Sequence, residues 1–223
     1  MKKKLMIYGA TGYSGKLLAG AAKSRGMDPC LAGRSEEKVK AVADRLGFKH
    51  RAFELGDAKQ VDKSIHDMDV LVNTAGPFSR TSVALLESCL RTGTHYLDLS
   101  AGMADNFETL MAYGADAKRV LMKYADRQPE GPSEEERNRD RSVFVITAEG
   151  KGGRTASARL TTPEGYKLTC MTTLLIAEKV LKGRIQTDYA TPTQVFGPDL
   201  IMEIEGVKRE DLQIRECFPL CNE

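Results

Sequence analysis

The chain has 223 residues, 41% of them hydrophobic and 29% charged, with a formal net charge of +2, a globular composition with room for one full domain and a smaller unit. The charge is too small, and too evenly spread among few aromatics, for a nucleic-acid-binding surface. No apolar run approaches a membrane span, and Met1-Lys2-Lys3-Lys4 passes directly into a strand pattern without a signal-peptide core, so a cytoplasmic address is expected.

The first strand is expected at Leu5–Tyr8. It runs into Gly9-Ala10-Thr11-Gly12-Tyr13-Ser14-Gly15, followed by a helical pattern over Tyr13–Arg25 and a second strand at Cys30–Ala32. A glycine-rich turn between a strand and a helix is the arrangement that holds a dinucleotide. Gly9 permits the tight turn, Gly12 lets the backbone approach a pyrophosphate, and Gly15 lets the helix pack closely on the strand. The helix then aims its unsatisfied N–H groups and positive dipole end at the phosphates. The second strand ends in Gly33-Arg34-Ser35, where an NAD site would place an acid. A guanidinium and a hydroxyl suit a 2′-phosphate instead, so NADP is expected in preference to NAD. Ser35 also fits the N-cap of a helix over Glu36–Leu46, and the two roles are compatible.

Further strands are expected at Arg51–Leu55, Val70–Asn73 and Tyr96–Leu99, with helices at Ala58–His66 and Ser79–Thr92. This alternation predicts a doubly wound parallel α/β sheet with both faces covered. Asp57 fits the N-cap of the third helix and also, as an acid does in many enzymes of this architecture, a contact to the adenine. Asn73-Thr74-Ala75-Gly76-Pro77-Phe78 closes the fourth strand, and the small Ala75, Gly76 and Pro77 leave space for a cofactor at the carboxyl edge of the sheet. At the end of the fifth strand, Asp98 and then Tyr96 are the candidates for handling a proton; capping and core packing explain the same two residues.

Beyond this point Ala104–Tyr124 fits a helix, and Asp126–Arg141 is almost wholly polar, as in a linker or solvated loop. Ser142–Glu149 and Thr155–Thr162 flank Gly150-Lys151-Gly152-Gly153 as a hairpin. A helix follows over Tyr166–Lys182, with Leu168, Met171, Thr172, Leu175, Ile176, Lys179 and Val180 spaced as one buried face, and a short strand is expected at Leu200–Ile204. The expected organisation is a dinucleotide-binding domain at 1–125, a linker at 126–141 and a reduced α+β region at 142–223. That second helix needs a surface to cover it, either the first domain or another copy, and a homodimer is expected. The five cysteines are dispersed, with Cys30 and Cys89 in apolar settings, and the three histidines are scattered, so no metal site is expected.

Taken together, Gly9–Gly15, Leu31-Ala32-Gly33-Arg34, Asn73–Phe78, His95-Tyr96-Leu97-Asp98 and Arg159–Tyr166 resemble the saccharopine dehydrogenase-like (saccharopine reductase) family, and within it the bacterial group related to trans-acting enoyl reductases. The resemblance implies an NADP-linked Rossmann domain followed by an α/β domain carrying substrate and dimer surfaces. The chain departs from that pattern twice. The interval before the hairpin is short, and Ser100-Ala101-Gly102 stands where the family commonly has Gly-Glu. The Tyr-x-x-x-Lys arrangement of short-chain dehydrogenases is missing, because no tyrosine is followed four residues later by lysine. Two functional classes follow. One is an NADP-dependent oxidoreductase reducing a C=N, C=C or C=O bond of a small or lipid-like substrate; the other is a catalytically silent NADP-binding sensor or partner protein.

Overall fold

Three short runs, Leu5-Met6-Ile7-Tyr8, Cys30-Leu31-Ala32-Gly33 and Val70-Leu71-Val72-Asn73, have no alternation and so no wet face. Each forms a strand buried at every residue: β1 (Leu5–Tyr8), β2 (Cys30–Gly33) and β4 (Val70–Asn73). The half-buried β3 (His50–Ala52) and β5 (His95–Asp98) close the two edges. The computed structural model describes residues 3–99, 131–150, 155–183 and 190–215. Contacts divide the chain into two compact units, Met1–Pro132 with Thr173–Gln186, and Ser133–Thr172 with Thr187–Glu223.

In the first unit all five strands are parallel, in the order β3-β2-β1-β4-β5. The crossovers are α1 (Tyr13–Ser24), α2 (Glu36–Leu46), α3 (Ala58–Ile65) and α4 (Phe78–Thr92). The expected doubly wound α/β fold is therefore present. The chain winds outward from β1 to β3 and then returns to β4 on the other side of β1, which makes the carboxyl edge between β1 and β4 the topological switch point. Tyr8 pairs with Ala32 on one side and Asn73 on the other, and Asn73 pairs with Asp98. These four residues form one row across that edge. The core beneath it includes Met6, Tyr8, Phe53, Val61, Ile65, Leu71, Leu85 and Cys89. Asp62 of α3 ties α4 down, accepting from the Ser88 hydroxyl at 2.5 Å and from Arg91 at 2.8 and 2.9 Å. Cys30 and Cys89 are buried free thiols, as expected, and Cys170 is a third.

In the second unit β6 (Arg141–Glu149), β7 (Thr155–Pro163) and β8 (Lys208–Arg215) form an antiparallel sheet in chain order. The hairpin is as expected. Three other elements differ from the sequence reading. A short helix, α5 (Glu134–Arg139), stands within the stretch expected to be a linker or loop, because Ser133 and Glu136 form a reciprocal capping box. The strand expected at Leu200–Ile204 is instead a 3₁₀ turn, Pro198–Glu203, which Pro198 initiates by fixing its φ at a helical value. The real third strand, β8, follows it; its charged first half hid it from a reading based on hydropathy. A short helix, Pro192–Phe196, precedes the 3₁₀ turn.

The helix α6 (Gly165–Leu181) buries Cys170, Leu174, Ile176, Ala177 and Val180, a face rotated from the one expected. It is apolar nearly all round, so spacing alone could not select the face. Residues 173–186 belong to the first unit, where Arg25 meets Glu178 at 3.5 Å, so part of this helix is covered within its own chain. The expected helix at Ala104–Tyr124, most of the hairpin tip, Cys217 and Cys221 lie outside the described residues. Among the described residues no helix is long and apolar enough to cross a membrane.

Candidate dinucleotide site and the polar cluster beside it

The turn after β1 is shaped by backbone packing. Gly9 has φ +89°, and a Cβ there would lie 2.6 Å from the Ala75 nitrogen. A Cβ on Gly15 would overlap the Gly9 carbonyl oxygen and come within 2.8 Å of the Ala10 Cα. Both glycines are thus demanded by the fold itself. Gly12 differs: a Cβ there would meet only the Gly9 oxygen at 3.5 Å, an ordinary contact. Among the described residues no other atom comes within 4 Å of that position. The amides of Gly9 and Ala10 both donate to the Ala32 carbonyl, at 2.8 and 3.1 Å, which fastens the turn to the end of β2.

The N-terminus of α1 contrasts with its neighbours. Ser35 caps α2, accepting from the Lys38 amide at 3.4 Å, and Asp57 caps α3, accepting from Lys59 and Gln60 at 3.0 and 3.4 Å. Gly12 at the N-cap of α1 offers no side chain, and the first turn holds no acid. A helix start of this kind, with an open glycine before it and the switch point beside it, fits a pyrophosphate. Tyr13 turns its side chain elsewhere, donating its hydroxyl to the Pro132 carbonyl at 2.6 Å, so its backbone is the part left to face a phosphate.

Arg34 is exposed at the end of β2 and forms no ion pair among the described residues. The nearest acid in sequence, Glu36, is engaged with His50 Nε2 at 2.7 Å. Ser35 spends a lone pair on its cap and keeps its hydroxyl proton. Gly33 lies close under α2, with Val39 Cγ2 3.0 Å from where a Cβ would stand. Below Arg34, the buried Tyr8 donates to the Phe53 carbonyl at 3.3 Å, and burial pushes its phenol up to about 12, against a smaller opposing pull from Arg34.

On the β4–β5 side a directional cluster stands out. The Ala75 amide donates to Asn73 Oδ1 at 3.0 Å, which fixes the orientation of the fully buried amide. Asn73 Nδ2 then donates to Thr81 Oγ1 at 3.1 Å and to the Tyr96 hydroxyl at 3.0 Å. Thr81 returns its proton to the Ala75 carbonyl at 2.7 Å, and Tyr96 passes its own to Asp98 Oδ2 at 3.1 Å. Burial, reinforced by the Asp98 charge, raises the Tyr96 phenol well above its ordinary value, against the opposing Asn73 hydrogen bond. Tyr96 therefore stays protonated, with its proton committed to Asp98. The structure brings the two predicted residues together and adds Asn73 and Thr81, which sequence reasoning missed. The Asn-Thr ending of an otherwise apolar strand was the available signal. Gly76 and Pro77, joined by a cis peptide, lead from this cluster into α4, and a Cβ on Gly76 would meet nothing within 4 Å.

Comparison with known proteins identifies relatives of the first part of the chain. Trans-acting enoyl reductases are similar over the first part of the chain: that of Mycobacterium leprae is 37% identical over 103 residues, covering 43% of this chain and 25% of its own length. That of Mycobacterium ulcerans is 34% identical over 104 residues, covering 44% and 25%. The chain thus spans about a quarter of the length of these relatives. Among solved structures, the apo saccharopine dehydrogenase (L-Glu forming) of Saccharomyces cerevisiae is 21% identical, with a TM-score of 0.41, over 53% of this chain and 24% of that one. Residues 5–139 match the saccharopine dehydrogenase NADP binding domain, more than half of the chain, and the protein belongs to that family, with NADP as its cofactor.

Proposed function

We propose that the chain is an NADPH-dependent reductase that delivers a hydride to a C=C, C=N or C=O bond of a small or lipid-like substrate. The carrying observation is the uncapped start of α1, with Gly12 open before it at the switch point and Arg34 exposed at the end of β2 with no ion pair among the described residues. The α1 amides would hold the pyrophosphate, Arg34 and Ser35 the 2′-phosphate, and Asp57, besides capping α3, the adenine. NADPH, when bound, supplies the hydride. Ala75, Gly76 and Pro77, small residues at the carboxyl end of β4, would leave room for its nicotinamide half. There Asn73 and Tyr96 would orient Asp98, which would take a proton from solvent water and pass it to the substrate as the hydride arrives, balancing the reduction. The enoyl reductase relatives favour a C=C bond among these.

Fluorescence titration with NADPH and NADH tests the cofactor reading. NADPH is expected to bind at least about tenfold more tightly, and Arg34→Ala to remove that preference while leaving NADH binding unchanged. Equal binding of both cofactors by the natural chain would refute the assignment of Arg34. Oxidation of NADPH against enoyl thioesters, imines and aldehydes tests the reaction. Turnover with one class, reduced at least about a hundredfold in Asp98→Asn without loss of NADPH binding, is the expected result. Tight binding with no turnover on any of them would instead favour the catalytically silent reading.

A further inference from the structure

Glu36 opens α2 only two residues after Arg34, at the carboxyl edge of the parallel sheet. A carboxylate at that position can fold back onto the guanidinium, where it would compete with a 2′-phosphate for the hydrogen bonds and repel its charge. The fold occupies it elsewhere. Glu36 Oε1 meets His50 Nε2 at 2.7 Å. A carboxylate only accepts, so the imidazole carries a proton on Nε2 and donates it. The register of β3 says where this bond takes the charge. Gly33, the residue before Arg34, pairs with Ala52, whereas His50 pairs with Leu31. His50 thus stands two residues, about 6–7 Å, below the edge that carries Arg34. The histidine is the anchored partner, its side chain 23% exposed against 64% for the glutamate. Glu37 needs no such restraint. It lies about 100° further round the helix, opposite the buried Val39, Val42 and Ala43, and faces solvent.

We propose that His50 is a positioning residue for cofactor selection. By holding the Glu36 carboxylate below the carboxyl edge, it keeps Arg34 available to the 2′-phosphate of NADPH and so maintains the preference over NADH. This role rests on Arg34 being the 2′-phosphate ligand, as proposed above. His50 acts through Glu36 and touches no part of the cofactor. Released from His50, the carboxylate would oppose the 2′-phosphate of NADPH, yet it could accept from the 2′-hydroxyl of NADH. Loss of the bond therefore acts on the two cofactors in opposite senses, which a general loosening of the fold cannot do.

Fluorescence titration of the full chain with NADPH and NADH tests this, read as the ratio of the two dissociation constants, with circular dichroism to show that each variant is folded. His50→Phe keeps a ring of similar size and removes the donor. It is expected to weaken NADPH binding about fivefold and to leave NADH binding unchanged or slightly tighter. His50→Ala, which removes the ring altogether, is expected to move the ratio in the same direction. His50→Gln sets an amide N–H near the place of Nε2 and is expected to keep the natural ratio. Adding Glu36→Gln to His50→Phe removes the freed charge and is expected to restore NADPH binding. That rescue separates an action through Glu36 from a direct contact between His50 and the phosphate, which Glu36→Gln could not repair. NADPH binding unmoved in folded His50→Phe and His50→Ala, an equal loss for both cofactors, or the absence of rescue would each overturn the proposal while leaving Arg34 as the phosphate ligand. A natural chain that bound NADPH and NADH equally would overturn it together with the assignment of Arg34.

Discussion

In the parallel sheet β1, β2 and β4 bury every residue, whereas in the antiparallel sheet β6 leaves all but Ser142 exposed. The first sheet is held by what covers it, and the second by strand pairing and cross-strand contacts such as Arg159 to Glu210. Burial on both faces leaves each strand of the first sheet one register, since a slip would drive the polar row end into the core. That is why the carboxyl edge can serve as a rigid platform, with Tyr8, Ala32, Asn73 and Asp98 aligned. Among the described residues β6 has no such cover and is correspondingly tolerant of change on its faces.

This contrast predicts a steep gradient in mutational sensitivity, which urea unfolding measures. The largest effect is expected at Gly15→Val, whose Cβ meets the backbone of Gly9 and Ala10, atoms unable to step aside. A loss of about 3 kcal/mol or more is expected, at the upper end for overpacking. Gly12→Ala, three residues earlier, should change stability by less than about 1 kcal/mol while weakening NADPH binding at least about tenfold. If both variants lost stability equally, the assignment of Gly12 to an open cradle would fail. Leu71→Ala, fully buried in β4, is expected to cost about 3 kcal/mol. Leu212→Ala in β8, 44% exposed, should stay within about 0.5 kcal/mol. Asn73→Ala removes the partner of the Ala75 amide and the donor to Tyr96, and about 2 kcal/mol is expected.

The same contrast explains what the sequence revealed. The buried parallel strands are continuous apolar runs, and the glycines between them carry hard steric demands, so the first unit and the dinucleotide turn were legible from Gly9, Gly15 and Arg34. β3 and β5 differ from the expected bounds by one to three residues because edge strands are only half-buried and their ends are weakly marked. β8 was illegible for a stronger reason. An exposed strand needs no apolar face, so Lys208-Arg209-Glu210-Asp211 looks like a loop until β7 is there to pair with it. The α5 helix was legible in principle, since Ser133 and Glu136 have capping-box spacing, but its lack of an apolar face outweighed that signal. At the candidate site, Asp98 and Tyr96 could be named from the strand end. The role of Asn73 could not, because it depends on α4 bringing Thr81 back over β4.

The smallest expected effects distinguish the two sheets by pH. Both oxygens of Asp67 accept from Arg51, at 2.6 and 2.9 Å, and Oδ2 also meets Lys4 at 3.0 Å. The Arg51 hydrogen bonds, aided by Lys4, hold this carboxyl well below the ordinary carboxylate range despite partial burial. A carboxyl depressed in the folded state contributes stability above its unfolded pKa, about 3.9, and loses it as pH falls toward the folded value. The partners remain about a third exposed, so the contribution at neutral pH is about 1 kcal/mol. Asp67→Asn should therefore be less stable than the natural chain by that amount at pH 7, with the gap closing progressively below about pH 4. The Arg159–Glu210 pair of the antiparallel sheet is more exposed on both sides, and Glu210→Gln should cost no more than about 0.5 kcal/mol at pH 7. A gap for Asp67→Asn that stayed constant from pH 7 into acid would mean that the aspartate acts through shape and hydrogen bonding rather than charge. The link from Arg51 at the edge of the parallel sheet to Asp67 just before β4 would then be a packing contact like those beneath it.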